Sequence, residues 1–274
     1  MKLATISNLK KYYGDRLILD IDKFEIEEED KIGIVGENGA GKTTLLKIII
    51  GEIKADEGKV HLTDSYSYIS QLEERCITCE VTKVKKIFNS PSEYKEYLSG
   101  GEKVKIQVVN ALSENRKLII ADEPTSNLDS ESIKILDNMF SKYKGALLVV
   151  SHDRNFLNHI CNKIVEIEDG KINIYKGNYD DYKMLKEENI KCEENEYKKY
   201  ISEKKRLEQV ISAKKVLRDR IKKAPKGMGK SEAKTIKMGD QRGKKNIENN
   251  IKSVEKRIEH MDVKKKPKRQ QQIV

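Results

Sequence analysis

The chain holds 274 residues (31.6 kDa), of which 37% are hydrophobic, 36% charged and 6% aromatic, with no Trp and a formal net charge of +10. That charged share is well above the ~25% of an ordinary globular domain, and apolar runs such as Ala146–Val150 fall far short of the ~20 residues a membrane span needs. A transmembrane chain is thereby excluded, polar residues soon after Met1 leave no signal peptide in view, and four Cys do not make a disulfide scaffold at this length; the expected setting is cytoplasmic.

The charge is lopsided. Tyr182–Val274 carries 29 Lys and Arg against 14 Asp and Glu, whereas Met1–Asp181 carries 26 against 31. Such asymmetry predicts two parts with different partners. The first, 1–181, is long enough to bury one core; the second has too few large apolar residues for another.

In chain order, Lys31–Val35 is a short apolar run of the kind that forms strands buried on both faces. It runs into Gly36-Glu37-Asn38-Gly39-Ala40-Gly41-Lys42-Thr43, a full G-x-x-x-x-G-K-[ST], and a helix over Lys42–Ile50 follows. Glycines let backbone N–H groups turn inward around an anion, and the helix N-terminus adds its dipole. Lys42 is placed to neutralise the β- and γ-phosphates of a nucleotide, and the Thr43 hydroxyl to ligate Mg²⁺.

Tyr66–Ser70 predicts the next strand and Gly100–Leu112 the next helix. Lys117–Ala121 is a third apolar strand, and it ends in Asp122-Glu123-Pro124. Successive strand residues face opposite ways, so the two carboxylates need not play the same part. Asp122 is placed to hold Mg²⁺ and Glu123 to polarise an attacking water. A helix over Ser130–Tyr143, a strand over Gly145–Val150, and a hairpin of Lys163–Ile167 and Lys171–Tyr175 around Glu168-Asp169-Gly170 complete this part. The alternation predicts an α/β domain with a mostly parallel central sheet.

These motifs bring further residues into line. Leu98-Ser99-Gly100-Gly101-Glu102 resembles the signature of ATP-binding-cassette (ABC) ATPases, Gln71 their Q-loop glutamine, Ser126-Asn127-Leu128-Asp129 their D-loop, and His152 in Val150-Ser151-His152-Asp153 their switch histidine. The resemblance covers Met1–Asp181 in family order. It implies a cleft for ATP and Mg²⁺ that draws on Gly36, Glu37, Asn38, Gly39, Ala40, Gly41, Lys42, Thr43, Thr44 and Gln71. Thr43, Gln71 and Asp122 attend the metal, and Glu123 and His152 the chemistry. Tyr13 stands where the family stacks an aromatic on adenine, with Tyr12 as the alternative. Ser99, Gly100 and Gly101 open a second anion-binding helix N-terminus. In the family this signature meets the nucleotide of another cassette, so a chain with each motif once needs a second cassette, in trans or in a missing C-terminal half, and weak hydrolysis is expected without one.

Three features are similar to the ABC-F branch, which works on ribosomes: Gly177-Asn178-Tyr179-Asp180-Asp181-Tyr182 after the cassette, Glu102 ending the signature, and a long basic segment beyond. The 26 residues between Gln71 and Leu98 are too few for a transporter's helical subdomain, or for the inserted arm of some housekeeping members. That brevity resembles the antibiotic-resistance members, which protect the peptidyl-transferase centre, and 1–274 is similar to the N-terminal half of such a protein. The alternative is the ATPase subunit of a membrane transporter, which leaves the basic segment unexplained.

In that segment Tyr197, Tyr200, Lys204, Leu207, Ile211, Lys214, Arg218 and Ile221 recur at three- and four-residue steps, as do Ile247, Ile251, Val254, Ile258 and Met261. Both are heptad seams. Ala224-Pro225-Lys226-Gly227-Met228-Gly229 breaks the helix between them. The prediction is an antiparallel hairpin over 182–263, with a tip loop at about 224–245, a first arm on the order of 60 Å long, and a second arm about half that. A basic tail over 264–274 is expected to be disordered. A hairpin of this charge suits an anionic polymer held through its phosphates; the resemblance makes that partner the ribosome, through ribosomal RNA and P-site tRNA. Cys76-Ile77-Thr78-Cys79 lacks the second ligand pair of a zinc site, and His61, His159 and His260 are scattered.

Overall fold

A computed structural model describes residues 1–70, 88, 98–114, 116–220, 230–264 and 266, with 230–242 described through their backbone only. The chain divides into two compact units, Met1–Leu185 and Lys186–Val274.

The first unit opens with two long strands, β1 (Lys2–Tyr13) and β2 (Arg16–Glu27), paired antiparallel. With β4 (Glu57–Leu62) they form a three-stranded sheet in the order β2-β1-β4. The second sheet holds six strands in the order β5-β6-β7-β3-β8-β9: Tyr66–Ile69, Leu118–Asp122, Ala146–Val150, Lys31–Gly36, Lys163–Glu168 and Lys171–Lys176. All its pairs are parallel except β8 with β9. The expected strands are present, and the α/β class with a mostly parallel sheet holds. The antiparallel sheet is additional.

Both faces of the parallel sheet are covered, as its near-continuous apolar strands require. Leu118 and Ile120 of β6 and Ala146, Leu148 and Val150 of β7 join one core, with α1 (Lys42–Ile49) and the three-stranded sheet. Ile119, Ala121, Leu147 and Val149 turn the other way, onto α2 (Gly100–Ser113), α3 (Ser130–Lys142) and α4 (Arg154–Ile160). By that parity Asp122, one step beyond Ala121, falls on the face of α1. Each fully buried Leu, Ile or Val contributes roughly 1.5–3 kcal/mol, enough in sum to fix the strand order that brings the ends of β3, β6 and β7 side by side.

The second unit is a helical hairpin. Helix α5 (Tyr179–Arg220) is 42 residues long, its first turns belonging to the first unit, and α6 (Lys230–Glu259) is 30 residues long. Leu207 and Ile211 of one arm and Ile251 of the other are buried. The other described seam positions are half-buried, while most residues around them are exposed. Ion pairs run Glu196–Lys264, Glu203–Arg257 and Lys215–Glu255, so rising numbers on one arm meet falling numbers on the other and the arms are antiparallel. The expected tip loop at 224–245 is corrected: α6 begins at Lys230. Proline and the closest glycines are confined to 225–229, and Ser231–Met238 are compatible with helix, so the isolated Gly239 and Gly243 are absorbed at ~1 kcal/mol each. The second arm is correspondingly longer than half the first. Lys264 is tied to Glu196 at 2.9 Å, and 267–274 lie outside the described residues, as do Cys76 and Cys79.

Candidate functional site

The carboxyl ends of parallel strands are where open α/β sheets place their ligands. Here β3 ends at Gly36, β6 at Asp122 and, one strand between them, β7 at Val150. A cleft of about 790 Å³ opens there, lined by Asn38, Gly39, Gly41, Lys42, Thr43, Thr44, Asp122, Glu123 and His152, together with Tyr13, Ile18, Thr125, Ser126, Ile133, Val150 and Asp153.

The glycine loop turns tightly. Gly36 has φ +155°, and a Cβ on it would stand 2.7 Å from the Ile167 carbonyl oxygen, so no other residue fits without moving β8. Gly41 caps α1 with φ +99° and no side-chain partner for the first helical N–H groups. Lys42 Nζ donates to the carbonyls of Gly36 (2.9 Å) and Glu37 (3.1 Å). Burial holds the Lys42 ammonium below its usual range, against the opposing pull of Glu123 and Asp122. Glu37 and Ala40 close the loop by a backbone bond of 3.1 Å, and Ala40 packs on the core beneath.

Asp122 is 2% exposed. Burial raises its carboxyl above the usual range, opposed by a hydrogen bond from Thr43 and the charges of Lys42 and Lys47. Its Oδ1 is buried with no hydrogen-bond partner among the described residues. A buried carboxylate oxygen left in this state beside a threonine hydroxyl suits a hydrated divalent cation; Asp122 and Thr43 therefore fit Mg²⁺.

Glu123 takes φ +52°, turning the chain sharply after β6, and its N–H donates to the Val150 carbonyl at 2.8 Å. Its carboxyl is also raised by burial, with the charge and N–H of His152 opposing. The backbone N–H of His152 donates to Glu123 Oε2 at 3.2 Å, and His152 Nε2 lies 3.4 Å from Oε1. A carboxylate whose affinity for a proton is raised by burial, held by the His152 N–H with the imidazole close by, is the arrangement of a general base acting on water.

Tyr13, 52% exposed, lines the cleft, while Tyr12 spends its N–H on Asp56 at 2.7 Å. Ser99 and Glu102 form a capping box at the start of α2, but Ser99, Gly100 and Gly101 do not line this cleft. Gln71 lies outside the described residues. Sequence reading missed Ile18 and Ile133, which line the cleft, and the buried Thr125–Ser151 hydroxyl pair (3.0 Å) behind His152. Isolated apolar and hydroxyl residues outside a motif carry no distinguishing signal.

The ABC transporter family model matches residues 19–91 and 80–126. The chain carries an ABC transporter ATPase domain. Its homologues are ABC-F proteins at about 30% identity. The energy-dependent translational throttle protein EttA of Escherichia coli K12 is 31% identical over 217 residues, covering 69% of this chain. The ribosome protection protein VmlR of Bacillus subtilis strain 168 is 31% identical over 218 residues, covering 76%. The chain spans 39% of the length of each. Among solved structures, the ATP-binding subunit of an ABC transporter superposes with a TM-score of 0.54 at 22% identity, covering 67% of this chain and 92% of that one. A nucleotide-free cassette from an ABC transporter gives 0.53 at 20%, covering 67% and 94%. The ABC cassette is thus the fold of the first unit, and the glycine loop, Asp122–Glu123 turn and His152 lie in it at one cleft. No helix among the described residues is long and apolar enough to cross a membrane.

Proposed function

We propose that this protein binds and hydrolyses ATP with Mg²⁺ and acts on the ribosome, protecting it against antibiotics of the peptidyl-transferase centre. The observation that carries the reading is the union of an ABC cleft with a helical hairpin in a segment of 29 basic and 14 acidic residues; the translational and ribosomal roles that EttA and VmlR are named for support its ribosomal part.

In this reading the loop Gly36–Thr43 and Thr44 embrace the phosphates, and Tyr13 stacks on the adenine. Thr43 and Asp122, with Gln71, would hold Mg²⁺, which when bound would supply charge stabilisation to the phosphoryl group. Glu123 accepts a proton from the attacking water while His152 orients that carboxylate and senses the γ-phosphate. Ser99, Gly100 and Gly101, lying off this cleft, serve the nucleotide of a second cassette, so turnover is weak until two cassettes meet. The hairpin contacts ribosomal RNA and P-site tRNA chiefly through phosphates, in a cytoplasmic setting. Ile236 and Met238 fall on α6 close to its start, and the reading gives them the contact nearest the drug.

The test is to sediment a Glu123→Gln variant with purified bacterial ribosomes, with and without ATP, at two salt concentrations. ATP-dependent pelleting that weakens with salt is expected, since each phosphate contact adds about 0.7–0.9 to the log–log salt slope. ATP binding without pelleting in either salt overturns the ribosomal part of the reading.

A further inference from the structure

Helix α4 is seven residues long and begins two residues after His152. Asp153 caps it, accepting from the N–H groups of Asn155 (3.0 Å) and Phe156 (3.1 Å). The Asp153 N–H donates to Ser151 Oγ at 3.1 Å, and Ser151 meets Thr125. Phe156, Leu157 and Ile160 are buried, with Phe156 against Phe140 of α3 at 6.1 Å between ring centres. The switch histidine thus sits on the end of a short, rigidly seated rod about 10 Å long.

The far end of that rod is bonded to the start of α5. Asn158 Nδ2 donates to Asp180 Oδ2 at 2.7 Å, and the Asp180 N–H donates back to Asn158 Oδ1 at 3.0 Å. The first turn of α5 is otherwise held by its own cap, in which Asn178 and Asp181 exchange two bonds of 3.0 Å, and by Tyr182, whose hydroxyl donates to the buried Glu166 at 2.8 Å. Neither of those hydrogen bonds reaches α4, although the Tyr182 ring shares a buried core with Phe156, Leu157 and Ile160; the Asn158–Asp180 pair is a polar link between the two helices. A close-packed rod passes on a displacement at one end instead of absorbing it.

We propose that α4 is a lever between the nucleotide cleft and α5. A shift of His152 on nucleotide binding reaches the first turn of α5 through the paired bonds of Asn158 and Asp180, which makes these two positioning residues. The inference rests on the ATP-binding reading. A carboxylate in the first turn of a helix also favours the helix dipole, and Asp180 on its own would be explained by that. The reciprocal geometry separates the two accounts. Exchanging the side chains, Asn158→Asp with Asp180→Asn, reverses donor and acceptor in the side-chain bond and leaves the backbone N–H of residue 180 donating to residue 158, yet removes the carboxylate from position 180.

The experiment is amide hydrogen exchange on the full chain, with and without Mg-ATP, alongside a titration with a fluorescent ATP analogue. In the parent, nucleotide is expected to change exchange in α4 and in the first two turns of α5. Asn158→Asp, which sets two carboxylates against each other, should bind nucleotide with unchanged affinity and lose the response in α5 alone. Asp180→Ala, which loses the side-chain bond and keeps the backbone one, should weaken the response. The exchanged pair should regain it. Nucleotide binding with no response in α5 of the parent, an undiminished response in both single variants, or no recovery in the exchanged pair overturns the lever while leaving the cleft intact. A flat titration for the parent overturns the ATP-binding reading and the lever with it.

Discussion

The N–H of His152 donates to one oxygen of Glu123 at 3.2 Å while its Nε2 stands 3.4 Å from the other, so a single residue addresses both ends of that carboxylate. Glutamine at 123 can still accept the backbone bond through its amide oxygen, but it cannot take a proton from water. Glu123→Gln is therefore expected to bind ATP as the parent does and to lower turnover by roughly 10²–10⁴-fold, the usual contribution of a general base. Phosphate release under saturating Mg-ATP, with the protein paired to whatever second cassette it uses, checks this. Retained turnover would remove Glu123 from the chemistry.

The neighbouring carboxylate makes a prediction about stability. Burial raises the Asp122 carboxyl above its ordinary value of 3.8. The folded state then holds its proton more tightly than the unfolded chain, so the group's contribution to stability is lost as pH rises through that raised value. Asp122→Asn removes the charge but keeps the shape. Without nucleotide, its melting temperature should match the parent's near about pH 4 and exceed it near neutrality. With Mg-ATP the order should reverse, because only the parent gains the linked binding energy. Thermal melts at two pH values, with and without Mg-ATP, read all four outcomes.

Much of this architecture is legible before any coordinates. The strands of the parallel sheet announce themselves as short apolar runs because both faces are covered, and the glycine loop and acidic pair sit at their ends. Strands β1, β2 and β4 escape that reading. Their inward residues, such as Leu3, Ile6 and Leu9 in β1, stand three apart among exposed or half-buried polar ones, and the last four residues of β1 are all Lys or Tyr. Helix α4 escapes for a different reason: seven residues give too few turns for a 3.6-residue period to show. Gly239 and Gly243 hide the early start of α6, because they mark turns in isolation but are tolerated where an arm has a partner. The hairpin seams, by contrast, are legible at Tyr197–Arg218 and Ile247–Met261, because a heptad needs only spacing.

Those seams predict unequal consequences for core and charge. Leu207 and Ile251 are 4% and 5% exposed. Truncating either to Ala should cost roughly 2–5 kcal/mol in the second unit, visible as lost helicity and an earlier transition by circular dichroism. Glu203 pairs with Arg206 and Arg257 on the surface. Glu203→Ala should leave the transition unmoved within error, because solvated pairs contribute little. Equal shifts for the two kinds of change would mean that charge holds the arms together.

The last prediction concerns the signature glycines. A Cβ at Gly101 would stand 2.4 Å from the carbonyl oxygen of Asn127, whereas one at Gly100 would meet the end of the Asn127 side chain at 3.3 Å. Asn127 itself holds φ +63°, a conformation asparagine tolerates better than most residues. The D-loop backbone is thus seated directly on Gly101, and it cannot swing aside as a side-chain end can. Gly101→Ala should lower stability by about 1–3 kcal/mol through overpacking, while Gly100→Ala should cost far less. Neither should change affinity for nucleotide in this chain's own cleft, which residues 99–101 do not line. Urea unfolding and a nucleotide titration on both variants separate the effects. Equal destabilisation by the two substitutions would sink the steric account of Gly101, and a loss of nucleotide affinity would mean that the signature reaches its own cassette's cleft.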